Sequence, residues 1–353
     1  MSAFTTLSPE DLIISNEGVT NTVWLNNSPT LQAYFTSSVQ IQSTTGQFYY
    51  NIYSGISTTG SIQFAIAYCD EEGSGSLLYN PNVVGLSPTR TNYGQYRSLI
   101  IGDEENSFVF GNQSASYFYA LPIERSGYKE QLLPGTMTLC ISGSGAGGTA
   151  PDPTERLFLT DDSKLGGAAQ FTEAGRVYNL VSGSAGNVFT GTQANGWTVN
   201  SGSYGWFMPD VGMILLNGPA LDGTVAEGGI NLGIGRVTNQ ADNNPQKLYN
   251  RLNLAGSGFT NAGWTLNSEE QLSSDFIFVR ARSQEYNYSS NPSFISGSTG
   301  AVLFDSFINN PQVYITAVGL YNNNQELVAV AKLSRPLLKD FTKELLVRVK
   351  LDF

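Results

Sequence analysis

Apolar and polar residues alternate with a period of two along most of the chain, and a sustained 3.6-residue period is rare. The alternating runs predict strands over residues 39–41, 48–53, 62–68, 98–101, 107–110, 117–122, 137–142 and 157–160. Further along they predict strands over 177–181, 196–199, 205–208, 213–216, 276–282, 313–321, 326–333 and 345–353. Clusters of Gly, Ser, Asn, Asp and Pro separate the runs, and their dihedral preferences make turns. Two short segments read as helices: 8–14, where Pro9 follows a Ser N-cap, and 245–253. The expected fold class is all-β, a β-sandwich-type main domain with a smaller inserted β module and few short helices.

The pattern also sets the expected organisation. Residues 142–153 read SGSGAGGTAPDP, where Gly and Ser loosen the backbone and two prolines argue against a regular element. The expected division is an N-terminal part of the main domain (1–142), a Gly/Ser/Pro linker (143–153), an inserted small β module (154–217) and a C-terminal part of the main domain (218–353). The last part ends on a clear motif: QVYITAVGLY alternates, NNNQ turns, ELVAVAKLS alternates back, and LLVRVKLDF supplies a third strand.

Composition sharpens this picture. Of 353 residues 41% are hydrophobic and only 13% charged, about half the usual charged share of about 25%. The 38 glycines and polar runs would suit disorder, but 19 Phe and 18 Tyr supply a core that disordered chains lack. A surface so poor in charge suits burial against neighbouring subunits. The formal net charge of -11 repels phosphate backbones, so nucleic acid is not an expected partner. The basic C-terminal residues Lys332, Arg335, Lys339, Lys343, Arg348 and Lys350 read as a polar strand face interleaved with Asp340 and Glu344. Cys69 and Cys140 each sit in an apolar run and read as buried free thiols. The first residues lack a signal-peptide pattern and no apolar run approaches the ~18 residues of a membrane span, so the expectation is synthesis in a cytoplasm and no membrane partner.

The chain contains no histidine. That removes the commonest neutral-pH acid/base and the imidazole ligands of zinc, and makes a Ser-His-Asp triad impossible. Paired carboxylates could still cleave glycosides, and the clusters available are Asp70-Glu71-Glu72, Asp103-Glu104-Glu105, Asp161-Asp162 and Glu269-Glu270. Each lies beside turn residues at a predicted strand end, where solvated turn carboxylates are the simpler account. DEEGSG at 70–75 and DNN at 242–244 could offer oxygen ligands to a cation, but neither follows the calcium-loop pattern. Gly143, Gly145 and Gly148 satisfy a G-x-G-x-x-G spacing, yet Pro151 and Pro153 oppose the helix that a dinucleotide site needs. Aromatic groups at 48–50, 117–119 and 286–288 would send alternate rings to opposite strand faces, one into a core and one toward a partner. A Tyr/Trp set in the central segment (Trp197, Tyr204, Trp206) could form a glycan-contacting surface. No catalytic, cofactor-binding or metal-ligating residue is assigned.

The terminal segment QVYITAVGLYNNNQELVAVAKLSRPLLKDFTKELLVRVKLDF resembles a hairpin-plus-strand segment of bacteriophage tail and virion proteins. The stretches at 60–102 and 273–300 are similar to virion structural proteins of T-even-like cyanophages and their relatives. The resemblance covers about a third of the chain and includes no catalytic motif. It implies a non-enzymatic virion subunit, made in the host bacterial cytoplasm and built into the contractile tail or baseplate. A neck or capsid decoration protein and a receptor- or glycan-binding fibre module are the alternatives. The implied partners are other phage structural proteins and further copies of the chain in a symmetric homo-oligomer.

Overall fold

The structure is a computed structural model describing residues 4–25, 28–31, 34–37, 49–54, 60–73, 89–144, 151–166, 169–189, 203–224, 227–236, 244–256, 263–289 and 291–352. Strands make up 48% of it and helices 16%, in large antiparallel sheets with four short α-helices, so the class is all-β as the alternation implied. In chain order the strands begin with β1 (Leu12–Thr22), β2 (Thr30–Leu31), β3 (Tyr34–Ser37), β4 (Tyr49–Ser54), β5 (Ile62–Asp70), β6 (Phe108–Phe110) and β7 (Gln113–Ala115). Next come β8 (Tyr117–Pro122), β9 (Gln131–Leu132), β10 (Thr138–Ser144), β11 (Pro151–Asp161), β12 (Gln170–Thr172), β13 (Gly175–Ser184) and β14 (Asn187–Val188). The last are β15 (Gly205–Met208), β16 (Met213–Asn217), β17 (Trp264–Thr265), β18 (Asn267–Ala281), β19 (Val313–Tyr321), β20 (Leu327–Lys339) and β21 (Leu345–Asp352). The helices are α1 (Thr89–Ile100), α2 (Gly218–Asp222), α3 (Asn244–Gly256) and α4 (Ser306–Asn309).

Two compact units divide the chain: a large one over 19–270 and a small one made of 1–18 with 271–353. The large unit is built on one sheet in the order β2-β17-β10-β11-β13-β15-β16-β8-β5-β4-β3. Its central strands alternate strictly between two cores. Tyr119, Leu121, Ile214, Leu216 and Phe207 enter one core with Leu248 and Leu252 of α3, while Phe118, Ala120, Leu215 and Trp206 enter the other. The second core is closed by Tyr93 and Ile100 of α1 and by Phe108 and Phe110 of the β6–β7 hairpin. Covering both faces explains why these strands read as continuous apolar runs such as MILL. The first core centres on Trp264, whose ring meets Phe64 at 4.8 Å and Trp24 at 5.1 Å, with Trp24 Nε1 donating to Trp264 O at 2.8 Å. At the β15–β16 turn Gly212 has φ +67°, and a Cβ there would lie 2.0 Å from the Tyr128 hydroxyl oxygen.

Four expectations are corrected. The segment 154–217 is no separate module: its strands β11, β13, β15 and β16 join β10 and β8 in one sheet, because their apolar faces complete the same two cores. The proposed linker is in part a hairpin, with Gly143 opposite Asp152 and Ser144 opposite Pro151 beyond a bulge; 145–150 lie outside the described residues. Proline is accommodated there because a strand's first residues and bulges need fewer ladder donors. Residues 98–101, expected as a strand, close helix α1, whose Tyr93, Tyr96 and Ile100 face one side at helical spacing. Segment 8–14 forms only a 3-10 turn at Pro9–Asp11, where Ser8 and Asp11 cap each other, and then enters β1. The strands expected at 39–41 and 196–199 lie outside the described residues.

The small unit holds the ladder of β18 with β21, Ser274–Ala281 against Asp352–Leu345, with β1 also paired to β18. The hairpin β19–β20 forms a two-stranded sheet of its own, so β21 is not its third strand as the motif suggested. Lys339, expected on a polar face, is fully buried: its ammonium donates to Ser283 O at 3.0 Å, Asn287 Oδ1 at 2.9 Å and Asp340 O at 3.0 Å. Three acceptors use all three donors, which compensates the desolvation that lowers its pKa.

Candidate interaction surface

Each acidic cluster has members bonded to this chain's own groups. At the end of β5, Asp70 is buried and accepts from Arg236 Nε at 3.1 Å and Nη2 at 2.9 Å. It also accepts from the Tyr68 hydroxyl at 2.9 Å and from the Glu72 amide at 3.0 Å. Arg236 reaches Glu72 at 3.1 Å and lies 4.5 Å from the centroid of the Tyr117 ring. Burial, and secondarily the charge of Asp70, raise the Tyr68 phenol pKa far above its ordinary value. Asp103 is half-buried and caps the amides of Glu105 and Asn106. Asp161 is buried, not a solvated turn residue; Oδ2 accepts from the Gly135 amide at 2.7 Å and from Ser163. Asp162 accepts from the Asn179 amide at 2.9 Å, and burial raises its pKa. Glu270 pairs with Lys129 at 2.7 Å and Glu269 accepts from Gln131.

Of the cation-loop candidates, Asp242 and Asn243 lie outside the described residues, while the Asn244 side chain closes on Gly235 in both directions. Among the described residues no three Cys, Asp or Glu side chains gather at metal-binding distance. A polar cleft of about 350 Å³ runs past Asn21, Thr22, Gly127, Tyr128 and the Lys129–Glu270 pair, but its phenol already donates to Val211 O. Both thiols are buried and free. Burial pushes Cys140 up to about 11 and Cys69 well above its usual value, so neither supplies thiolate near neutrality. The native chain is expected to resist iodoacetamide at about pH 8 and to take two labels once unfolded. Mass spectrometry of labelled protein checks this, and native labelling of either cysteine would contradict the burial.

The aromatic groups separate into two kinds. Tyr117, Phe118 and Tyr119 do alternate, but both sides are core, so none is left for a partner; Tyr49 and Tyr50 likewise pack on opposite cores. Of the glycan set, Trp197 lies outside the described residues, Tyr204 is fully buried with its hydroxyl on Gly228 O at 2.6 Å, and Trp206 packs between Phe108 and Phe110. Tyr286 and Tyr288, by contrast, are exposed on the small unit.

The surface that stands out belongs to that unit. Seventeen exposed large hydrophobic side chains lie in it and five in the much longer large unit, among the described residues. Buried apolar side chains are distributed the other way, six against forty-six. Among the described residues of the small unit, Phe294, Ile295 and Val313 form one buried cluster with Phe307 beside it. On the β19–β20 hairpin Tyr314 is 64% exposed, Val328 68% and Val330 60%. The N-terminal segment adds Leu7, Ile13 and Ile14, while Phe4 packs edge-on to Tyr321 at 4.8 Å. A two-stranded hairpin is at best marginally stable alone in water, and apolar patches this extensive mark contact surfaces. The alternation gives β19 its observed bounds and stops six residues short of the end of β20, and it predicts a polar face rather than an exposed apolar one, because alternation shows that two faces differ and not whether the apolar one is covered.

Among the described residues no helix is long and apolar enough to cross a membrane. Comparison with known proteins finds no matching family model, curated protein or solved structure.

Proposed function

We propose that this chain is a non-enzymatic structural subunit of a tailed-bacteriophage particle, placed in the contractile tail or baseplate and acting through subunit contacts. The observation that carries the reading is the small unit, with six buried apolar side chains and most of the exposed large hydrophobic ones among the described residues, many of them on a two-stranded hairpin. Such a unit gains stability when neighbours bury those faces, at about 25 cal/mol per Å² of apolar surface removed from water. The segments that resemble phage virion proteins include this hairpin and β21. The large unit, with two filled cores, is the well-packed part of the chain. Other phage structural proteins and further copies of the chain are the proposed partners, and the virion is the proposed location after synthesis in the host cytoplasm.

Immunogold electron microscopy of purified particles, with an antibody to this protein, tests the reading. Label at the tail tip is the expected result, and label at the neck or head would move the same subunit to the alternative positions. Unlabelled intact particles, with the protein abundant in infected cells, would overturn it.

A further inference from the structure

Open sheet edges recruit other strands unless charge, proline or bulges protect them. In the β19–β20 hairpin all three protections lie on β20. It carries Lys332, Arg335 and Pro336. It also carries the irregularities: Leu333 to Pro336 stand against the single Thr316, and Val328 is extra near the turn. Strand β19 reads VYITAVGLY, with no charge, no proline and no inserted residue, and among the described residues it pairs only with β20.

We infer that the free edge of β19 docks antiparallel against β19 of a second copy of this chain, making a four-stranded sheet β20–β19–β19–β20 across a two-fold axis. This rests on the proposed role in assembly and gives the contact with a further copy its strand and register. Charge selects the occupant. A strand pairing with its own image meets its own charges, and like charges directly opposite are destabilising. The cations of β20 would oppose one another in such a pairing, whereas β19 is neutral along its length. Side-chain size fits as well. Centred on Ala317, the pairing sets Tyr314 beside Leu320, Thr316 beside Val318, Ile315 beside Gly319 and Val313 beside Tyr321. Every pair shares a sheet face, and the bulky Ile315 meets a residue without a side chain. A marginal hairpin thereby becomes the centre of a larger sheet.

Light scattering and sedimentation of the full chain test this with Ala317→Lys and Ala317→Glu, exposed positions that meet their own image on the axis. Wild type is expected to be a dimer or an even multiple at micromolar concentration. Each variant is expected to lose that species in low salt with unchanged circular dichroism, and an equal mixture of the two to regain it as a heterodimer. A monomeric wild type, or single variants that remain dimeric, would overturn the inference. A wild-type monomer that still labels the particle would do so while leaving the proposed function standing.

Discussion

Arg236→Met is expected to destabilise the large unit by about 3 kcal/mol, the lower end of the about 3–5 kcal/mol lost when one partner of a buried ion pair is removed. Asp70 is 2% exposed, and among the described residues the guanidinium is its only cationic partner, gripping both carboxylate oxygens through Nε and Nη2. Without it the carboxylate keeps the Tyr68 hydroxyl and the Glu72 amide, two neutral donors that cannot replace a charge at the same depth. The value falls at the lower end because the Arg236 side chain is 29% exposed, so water reaches one side of the site. The double variant Arg236→Met, Asp70→Asn is expected to recover most of the loss, since no uncompensated charge stays buried. The readout is specific, because all four tryptophans lie in the large unit. Urea unfolding followed by their fluorescence therefore reports this unit, and a loss below about 1 kcal/mol would class the pair with surface ion pairs.

That pair also shows where the sequence stopped being legible. Asp70 was readable as an acidic residue at a strand end, and its partner stands 166 residues away in a Gly-rich stretch with no motif of its own. Local pattern did better. Strands β5, β8, β16 and β19 were expected within a residue or two of their bounds, because a period of two is a direct imprint of the pleat. The continuous apolar runs of β5 and β16 also announced that both sheet faces are covered. Helix α1 escaped because Thr, Asn, Gly and Ser weaken its propensity, leaving Tyr93, Tyr96 and Ile100 as its sole signal. The division into units escaped for a different reason. It depends on 1–18 joining 271–353, which is a matter of long-range contact, while SGSGAGGTAPDP looked like a boundary and joins β10 to β11. The interaction surface was half legible: alternation located the hairpin, but only tertiary structure shows that, among the described residues, nothing covers its exposed side chains.

Deleting 345–353 is expected to remove the protein from particles while leaving the large unit folded. Strand β21 pairs residue by residue with β18 from Ser274 to Ala281, and the deletion leaves that ladder open on one side. It also removes Val349, a buried partner in register with Ile277, from a unit with six buried apolar side chains among the described residues. A unit with so little core has no reserve against such a loss, since domains are stable by only about 5–15 kcal/mol even when well packed. Hydrogen exchange over 274–281 and 313–339 is therefore expected to approach unfolded-chain rates, with the tryptophan-monitored transition unchanged. The two readouts separate local loss from global misfolding: particles lacking the variant then implicate the small unit itself. Wild-type incorporation of a truncated chain whose small unit has melted would mean that the apolar hairpin does not attach this protein to its neighbours, and the proposed function would lose the observation that carries it.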